Sequence, residues 1–496
     1  LLVLLLRDQT TALLLADRDR NCSVVEVDPS AVVRRVDPRF LSVTIDASLA
    51  SEEKFVSLLS STKIRTLAKA LTPSFLRFGG TRQDFMVFSP QKVQQDLGSS
   101  AGSSARWLFN GSSAGNASSS LVPLHSTEHE VSSRFSRYNH DIIPSPLEGS
   151  CDRMELPLWL EDKLKRDWTQ QLLTLMREDL QGKYRRVKFT VGGLAQVFCK
   201  AQCLDHLFHF CRRYFYFKRT VLILLPLLMP LLRFLQSGSQ AVDAVTWHHY
   251  YVNGRDTAVE DFLDPQVLDS LIQKTKDVLQ EVQMVSPEKP VWLGETSSAF
   301  GGGAAGLSDT FVAGFMWLDK LGLSARLGTA VVMRQVFIGS GSYHLLDDNL
   351  DPLPDYWLSV LYKRLVGPEV LKVESPSSRV RLYLHCSNRN RFSRYRGGAV
   401  TLISMNLGRE PAWISLPALL SSSSTVEAFV LQSDRPGGEG LYSRCVKLNG
   451  GVLKMVDDRT LPHLKGARLP PAEHLQLPAF SMAFFVLTDA GAVACM

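Results

Sequence analysis

Glu295 closes a short apolar run, Pro290-Val-Trp-Leu-Gly-Glu, and is followed by Thr-Ser-Ser-Ala-Phe and three glycines, Gly301 to Gly303. A buried parallel strand that ends in a carboxylate delivers that group to the open end of a barrel. Glycines just beyond it let backbone approach a ligand closely. A carboxylate so placed can attack an anomeric carbon, provided a second carboxylate serves as acid. A strand-end Glu can equally be an N-cap or half of an ion pair, and the local sequence leaves both readings open. His248 and His249 could suggest a metal site, but neighbours on a strand point to opposite faces. One histidine in or near a sugar cleft is the expectation, with no metal and no cofactor.

The elements that must position Glu295 come in alternation. Phe40 to Ala47 and Phe75 to Phe78 read as strands, with helical spacing over Phe55 to Leu71 between them. This is a βαβ opening and favours a parallel sheet. From 245 to 365 the alternation returns. Val245 to Tyr250, Val291 to Glu295 and Ala330 to Phe337 are strand-like, with helices at about Asp264 to Val282 and Asp309 to Leu321. The last 130 or so residues change character. Arg379 to His385, Ala399 to Leu407, Ala412 to Leu416, Thr425 to Gln432 and Ser481 to Thr488 form turn-separated β runs, an antiparallel sandwich.

The chain has 496 residues, enough for a large and a smaller domain, with 45% hydrophobic and 21% charged residues and a formal charge of +6. Two basic groups stand out: Lys183, Arg185, Arg186 and Lys188, and Arg389, Arg391, Arg394 and Arg396. Such groups are either solvated faces or binding sites for a dense polyanion such as a sulfated polysaccharide. No nucleic-acid motif accompanies them. Eight cysteines without a Cys-x-x-Cys pair exclude a disulfide scaffold and argue against zinc. Asn21, Asn110 and Asn116 fit the N-glycosylation triplet. Leu1 to Leu6 and Leu13 to Leu15 are apolar but interrupted by Arg7 and Asp8, which reads as a truncated signal segment. Residues 97–120 are Gly/Ser/Ala-rich and suit an exposed, cleavable segment.

Several stretches carry a resemblance. Phe40-Leu-Ser-Val-Thr-Ile-Asp-Ala47, Leu76-Arg-Phe-Gly-Gly-Thr81, Val245-Thr-Trp-His-His-Tyr-Tyr251, Gly294-Glu-Thr-Ser-Ser298, Val331-Val-Met-Arg-Gln-Val-Phe337 and Leu353-Pro-Asp-Tyr-Trp357 resemble, in order, the heparanase family of retaining endo-β-glucuronidases that cut heparan sulfate. About four fifths of the chain is covered. The resemblance implies a (β/α)8 TIM-type barrel with a C-terminal antiparallel β-sandwich, and Glu295 as nucleophile. It implies saccharide contacts at Asp46, Thr81, Tyr250, Arg255, Gly301, Gly302, Gln335, Gly341 and Tyr343, although Arg255 could also be a surface ion pair. Disulfides Cys151–Cys203 and Cys386–Cys495 follow from it, leaving Cys22, Cys199, Cys211 and Cys445 outside those pairs. So do heparan sulfate, heparin and cell-surface proteoglycans as partners, a processing protease, and a secreted, extracellular-matrix and lysosomal setting. Two departures are Ser48, where the family has Asn, and Phe300, where it has a substrate-bonding Tyr.

The family acid lies in an Asn-Glu-Pro motif at the end of the fourth barrel strand, and this chain has none. Between Asp205 and Asp243 there is no Asp or Glu at all. Relative to the family, roughly seventy residues carrying the fourth and fifth strand units are missing. The apolar run Val221 to Leu232 inside the insert holds Pro226 and Pro230 and falls short of the ~20 residues a spanning helix needs, so membrane contact is peripheral at most. The insert reads as an alternative transcript or a gene-model product. The resulting division is 1–22 signal-like, 23–93 barrel start, 94–181 processed linker, 182–365 remaining barrel with an anomalous insert at 209–232, and 366–496 sandwich. Three functions are compatible: an endo-β-glucuronidase, a glycan-binding protein impaired in catalysis, and a misfolded product.

Overall fold

The computed structural model describes residues 22–51, 55–80, 86–87, 108–109, 190–191, 242–389, 394–420, 424–471 and 474–496. Barrel strands β1 (Leu41–Asp46), β2 (Leu76–Gly79), β3 (Thr190–Val191), β4 (Ala244–His249), β5 (Val291–Thr296) and β6 (Val331–Ile338) form one sheet in the order β2-β1-β6-β5-β4-β3. Every pairing in it is parallel. β3 pairs directly with β4, Thr190 beside Ala244 and Val191 beside Val245. The described sheet thus passes from the third strand to the next without the two strands that a full eight-stranded barrel would place between them. β1 and β6 are buried along their whole length, as expected for strands covered on both faces.

Crossover helices follow from local chemistry. Helix α2 (Pro265–Val285) begins with Pro265 at its first turn, and the Asp264 side chain caps the Gln266 amide at 2.8 Å. Its buried Leu268, Leu271, Thr275, Val278 and Val282 recur at helical spacing. Helix α3 (Ala313–Leu327) is buried from Ala313 through Ala325 and stops at Gly328, whose φ of 110° a side chain would resist. The helical run expected over 55–71 is two helices, Phe55–Ser60 and α1 (Thr62–Ala70). The Ser61 hydroxyl accepts the Ile64 amide and restarts the helix there.

After α4 (Pro354–Leu365), the C-terminal region is a two-layer sandwich. Its large antiparallel sheet is built on β7 (Val366–Val373), β8 (Val380–Ser387), β9 (Val400–Asn406), β11 (Val426–Ser433) and β13 (Ser481–Leu487). β10 (Ala412–Ser415) and β12 (His474–Leu477) belong to the small sheet. Alternate residues of the large sheet face two cores. Leu382, Leu384, Leu402, Ala483 and Phe485 pack toward the small sheet, while Tyr383, Ile403, Met405, Phe484 and Val486 join the barrel core. Truncating Phe484 or Phe485 to Ala removes about 3–5 kcal/mol.

One boundary needs correction. Residues 23–93 read as the barrel's start, yet Cys22–Val24 pairs with β10, and Val27–Asp28 and Arg34–Arg35 pair with β7. The first described residues complete the sandwich, and the chain enters the barrel only at β1. Cys386 and Cys495 form a disulfide that ties the chain's last residues to β8. Cys22 Sγ lies 3.1 Å from His474 Nδ1. Cys445 is exposed and free. Among the described residues, no helix is long and apolar enough to cross a membrane, and the insert at 209–232 lies outside them.

Candidate active site

Glu295 sits at the C-terminal end of β5, where the strand slips register against both neighbours after Leu293. Gly294 permits this, because a Cβ there would lie 2.8 Å from the Thr246 side chain of β4. The half-buried carboxylate has both oxygens engaged. Arg77 Nη1, from the second residue of β2, donates to Oε2 at 2.7 Å. The Tyr250 hydroxyl, just past β4, donates to Oε1 at 2.8 Å. Burial pushes the carboxyl up, but the positive influence of His248, then Arg77, and the bonds from Tyr250 and Arg77 outweigh it, so the net shift is below the ordinary glutamate value. Tyr250 is held protonated far above the usual phenol range, by burial first and then by the Glu295 charge. The site therefore presents an ionised carboxylate with two fixed donors, the state a nucleophile requires.

A second group gathers at the ends of β1 and β6. Asp46 Oδ1 accepts the Ser48 amide at 2.9 Å, and Oδ2 lies 3.4 Å from Gln335 Nε2. Gly80 and Gly339, at φ of 112° and 139°, wrap Asp46; a Cβ on Gly339 would lie 2.4 Å from the Asp46 Cβ. Gln335 is buried on β6, and its side-chain Oε1 has no partner among the described residues. The Tyr343 ring stacks on Tyr250 at 6.1 Å between centroids, and burial pushes its hydroxyl up. Arg334 fixes the surrounding backbone. Its guanidinium pairs with buried Asp355 at 2.6 Å and donates to Ser297 Oγ and the Tyr343 carbonyl, both at 2.8 Å.

The glycine loops close the rim. Ser342 N donates to the Gly302 carbonyl at 2.6 Å, and a Cβ on Gly341 would lie 2.6 Å from that same oxygen. Gly301 and Gly302 adopt positive φ, which suits glycine alone. Val252 and Asn253 pair with Ala299 and Phe300, and Gly254 N donates to the Phe300 carbonyl at 3.0 Å. This places exposed Arg255 beside the exposed Phe300 ring on the same rim.

Among the expected residues, Asp46, Tyr250, Glu295, Gln335 and Tyr343 converge, with Arg255, Gly301, Gly302 and Gly341 around them. Thr81, Lys183, Arg185, Arg186, Lys188, Cys151, Cys203, Asn21, Asn110 and Asn116 lie outside the described residues. In the second basic group, Arg389 donates to the carbonyls of Cys495 and Met496, and Arg394 pairs with Glu427. That group is partly engaged inside the fold. His248 is exposed and His249 buried, as strand alternation requires. Among the described residues no cluster could hold a metal ion. Arg77 is not among the expected site residues; its signal is a cation at the second position of the short strand Leu76-Arg-Phe-Gly.

A parallel barrel sheet with a half-buried carboxylate at its C-terminal face, joined to a β-sandwich, is the architecture of a barrel glycoside hydrolase. Residues 231–322 match the profile of the glycosyl hydrolase family 79 N-terminal domain. The chain is 41% identical to heparanase of Gallus gallus over 541 aligned residues, covering 100% of both chains. It is 40% identical to heparanase of Mus musculus over 92% of this chain and 91% of that one. The chain belongs to the heparanase family. A solved 4-O-α-L-rhamnosyl-β-D-glucuronidase from Fusarium oxysporum 12S shares the fold, with a TM-score of 0.55 and 14% identity over 94% of this chain and 100% of that one.

Proposed function

We propose that this chain is an endo-β-glucuronidase acting on heparan sulfate with retention of configuration, and that Glu295 is its nucleophile. The observation that carries the reading is the Glu295 carboxylate held ionised between Arg77 and Tyr250 at a barrel strand end. In the first half-reaction Glu295 attacks the anomeric carbon, the glycosidic C–O bond breaks with its electron pair going to the departing sugar oxygen, which takes a proton from solvent, and a glucuronosyl ester forms on the enzyme; water then hydrolyses that ester, its hydroxyl going to the sugar and its proton to solvent. Arg77 and Tyr250 hold the free carboxylate in line until attack. Asp46, Gln335 and Tyr343 bind sugar hydroxyls, and Arg255, near Phe300 and the glycine rim, meets the uronate. The family relation supports secretion, glycosylation at Asn21, Asn110 and Asn116, proteoglycan encounter, and processing between residues 94 and 181. The Lys183–Lys188 cluster supplies polyanion affinity.

The missing Asn-Glu-Pro motif favours a second reading, glycan binding with impaired hydrolysis. The two separate by leaving group. An aryl β-glucuronide needs little protonation, whereas a sugar leaving group benefits about 10²–10⁴-fold from a general acid. The test compares both substrates on the purified chain, alongside covalent labelling by a glucuronide-configured epoxide. Labelling at Glu295 with aryl glucuronide turnover establishes the nucleophile. Heparan sulfate cleavage then decides between the readings, and labelling that survives Glu295→Gln overturns the assignment.

A further inference from the structure

Lys320 lies on α3 and is almost wholly buried. It has no ion-pair partner among the described residues; its neighbour Asp319 is taken by Arg381 and Tyr383. The amine instead reaches the ends of two adjacent strands. It donates to Thr296 Oγ1 at 2.6 Å, to the Ser297 carbonyl at 2.7 Å and to the His249 carbonyl at 3.3 Å. The Thr296 hydroxyl itself donates to the same His249 carbonyl. The Tyr251 ring lies 4.2 Å from the nitrogen. The amine thus meets three acceptors and an aromatic face, while burial first and then the Arg334 charge push it well below the usual lysine range.

The position of these acceptors gives the amine a role. His249 directly precedes Tyr250, and Thr296 directly follows Glu295. Lys320 therefore grips the backbone one residue away from each partner of the Tyr250–Glu295 hydrogen bond. Arg334 secures Ser297 from the β6 side, and the Thr296 hydroxyl and the Tyr250 hydroxyl each bridge the ends of β4 and β5, but among the described residues only Lys320 grips both strand ends from the helix behind them. Beyond the register slip after Leu293 only the pairs Glu295–His248 and Thr296–His249 and the Tyr251–Ser298 backbone bond hold the Glu295 segment against β4, and the lysine braces that short stretch. A buried amine without a carboxylate partner costs stability relative to an apolar residue of similar volume. A packing role alone would be better filled by methionine.

We propose that Lys320 is a positioning residue for the nucleophile: it locks the ends of β4 and β5 so that the Tyr250 hydroxyl and the Glu295 carboxylate stay in attack geometry. This rests on Glu295 being the nucleophile. The test compares the full chain with Lys320→Met, Lys320→Arg and Thr296→Val. Active sites are titrated with the glucuronide epoxide, and aryl glucuronide turnover is expressed per titrated site. Lys320→Met should lower kcat per site by about 10–100-fold, the scale of an ångström-level misplacement, with KM within about threefold. Lys320→Arg, which can donate to the same carbonyls, should recover part of the loss. Thr296→Val keeps the shape and removes the bridging hydroxyl, so it carries the test if the lysine variants fail to fold; it should lose several-fold in kcat per site. A lower number of titratable sites, each turning over at the parent rate, would mean that Lys320 only supports folding and would overturn the proposal. If the parent chain takes no label on Glu295, the functional reading itself fails.

Discussion

In the sandwich, β9 stays in unbroken register with β8 from Val400–Cys386 to Asn406–Val380, and with β13 from Val400–Leu487 to Asn406–Ser481. In the barrel, β5 slips against both neighbours within two residues of Glu295. The same contrast holds for buried charge. At the junction of the two regions, Asp319 receives Arg381 and Tyr383 and is fully satisfied, and Gly322 lets the Tyr383 ring lie flat on α3. Below the active site, Lys320 holds only backbone and hydroxyl oxygens. The sandwich uses its pairings for rigidity, and the barrel end relaxes its own to aim side chains. Barrel-end changes should therefore alter the rate per active site, and sandwich changes the amount of folded protein.

The largest effect should come from Glu295→Gln, which keeps the shape and removes the carboxylate proposed as nucleophile. Aryl glucuronide turnover should fall by more than about 10³-fold with the melting temperature little changed. A melting temperature that collapses with activity would erase the contrast. Next, Cys386→Ser with Cys495→Ser should cost about 2–5 kcal/mol in denaturant unfolding. Kcat per titrated site should not move, and if it does, the sandwich is coupled to the site more tightly than the contacts suggest.

His385 sharpens the sandwich side. It is fully buried on β8 with Nδ1 against the Gly367 carbonyl at 2.9 Å, and burial pushes it down to about 4. Its folded value lies below the unfolded one of about 6.5. The unfolded chain therefore binds the extra proton, and stability from this group is complete above pH 6.5 and lost as pH falls toward 4. That window corresponds to roughly 3 kcal/mol, and His385→Phe should flatten the fall in unfolding free energy across it. On the barrel side, Arg77→Met removes a cation that holds the Glu295 carboxyl down. The acidic limb of kcat/KM should shift to higher pH, with about 10-fold lower kcat. The smallest change should be Phe300→Tyr, which adds a donor at the rim and should improve KM by a few-fold at most.

Much of the barrel was legible because its strands are short apolar runs bounded by glycine and polar residues, and Glu295 stood at such a boundary. Arg77 was harder, since an arginine early in a four-residue strand looks like any solvated cation until the partner strand is in place. Lys320 left a fainter signal, a charged residue in a helix apolar on every side, Gly314-Phe-Met-Trp-Leu-Asp-Lys-Leu. The strands at Cys22–Val24, Val27–Asp28 and Arg34–Arg35 left almost none. They are two or three residues long, and their partners lie several hundred residues away, so local pattern cannot supply the pairing.

Those early strands have a consequence for any cut within residues 94–181. The amino-terminal piece would hold strands in the small sheet and the large sheet of the sandwich, and then β1 and β2 in the barrel. It would be woven through two cores at once, with no covalent link needed to keep it there. Separating the pieces would require both domains to unfold together, so the nicked molecule would behave in dilution as one body.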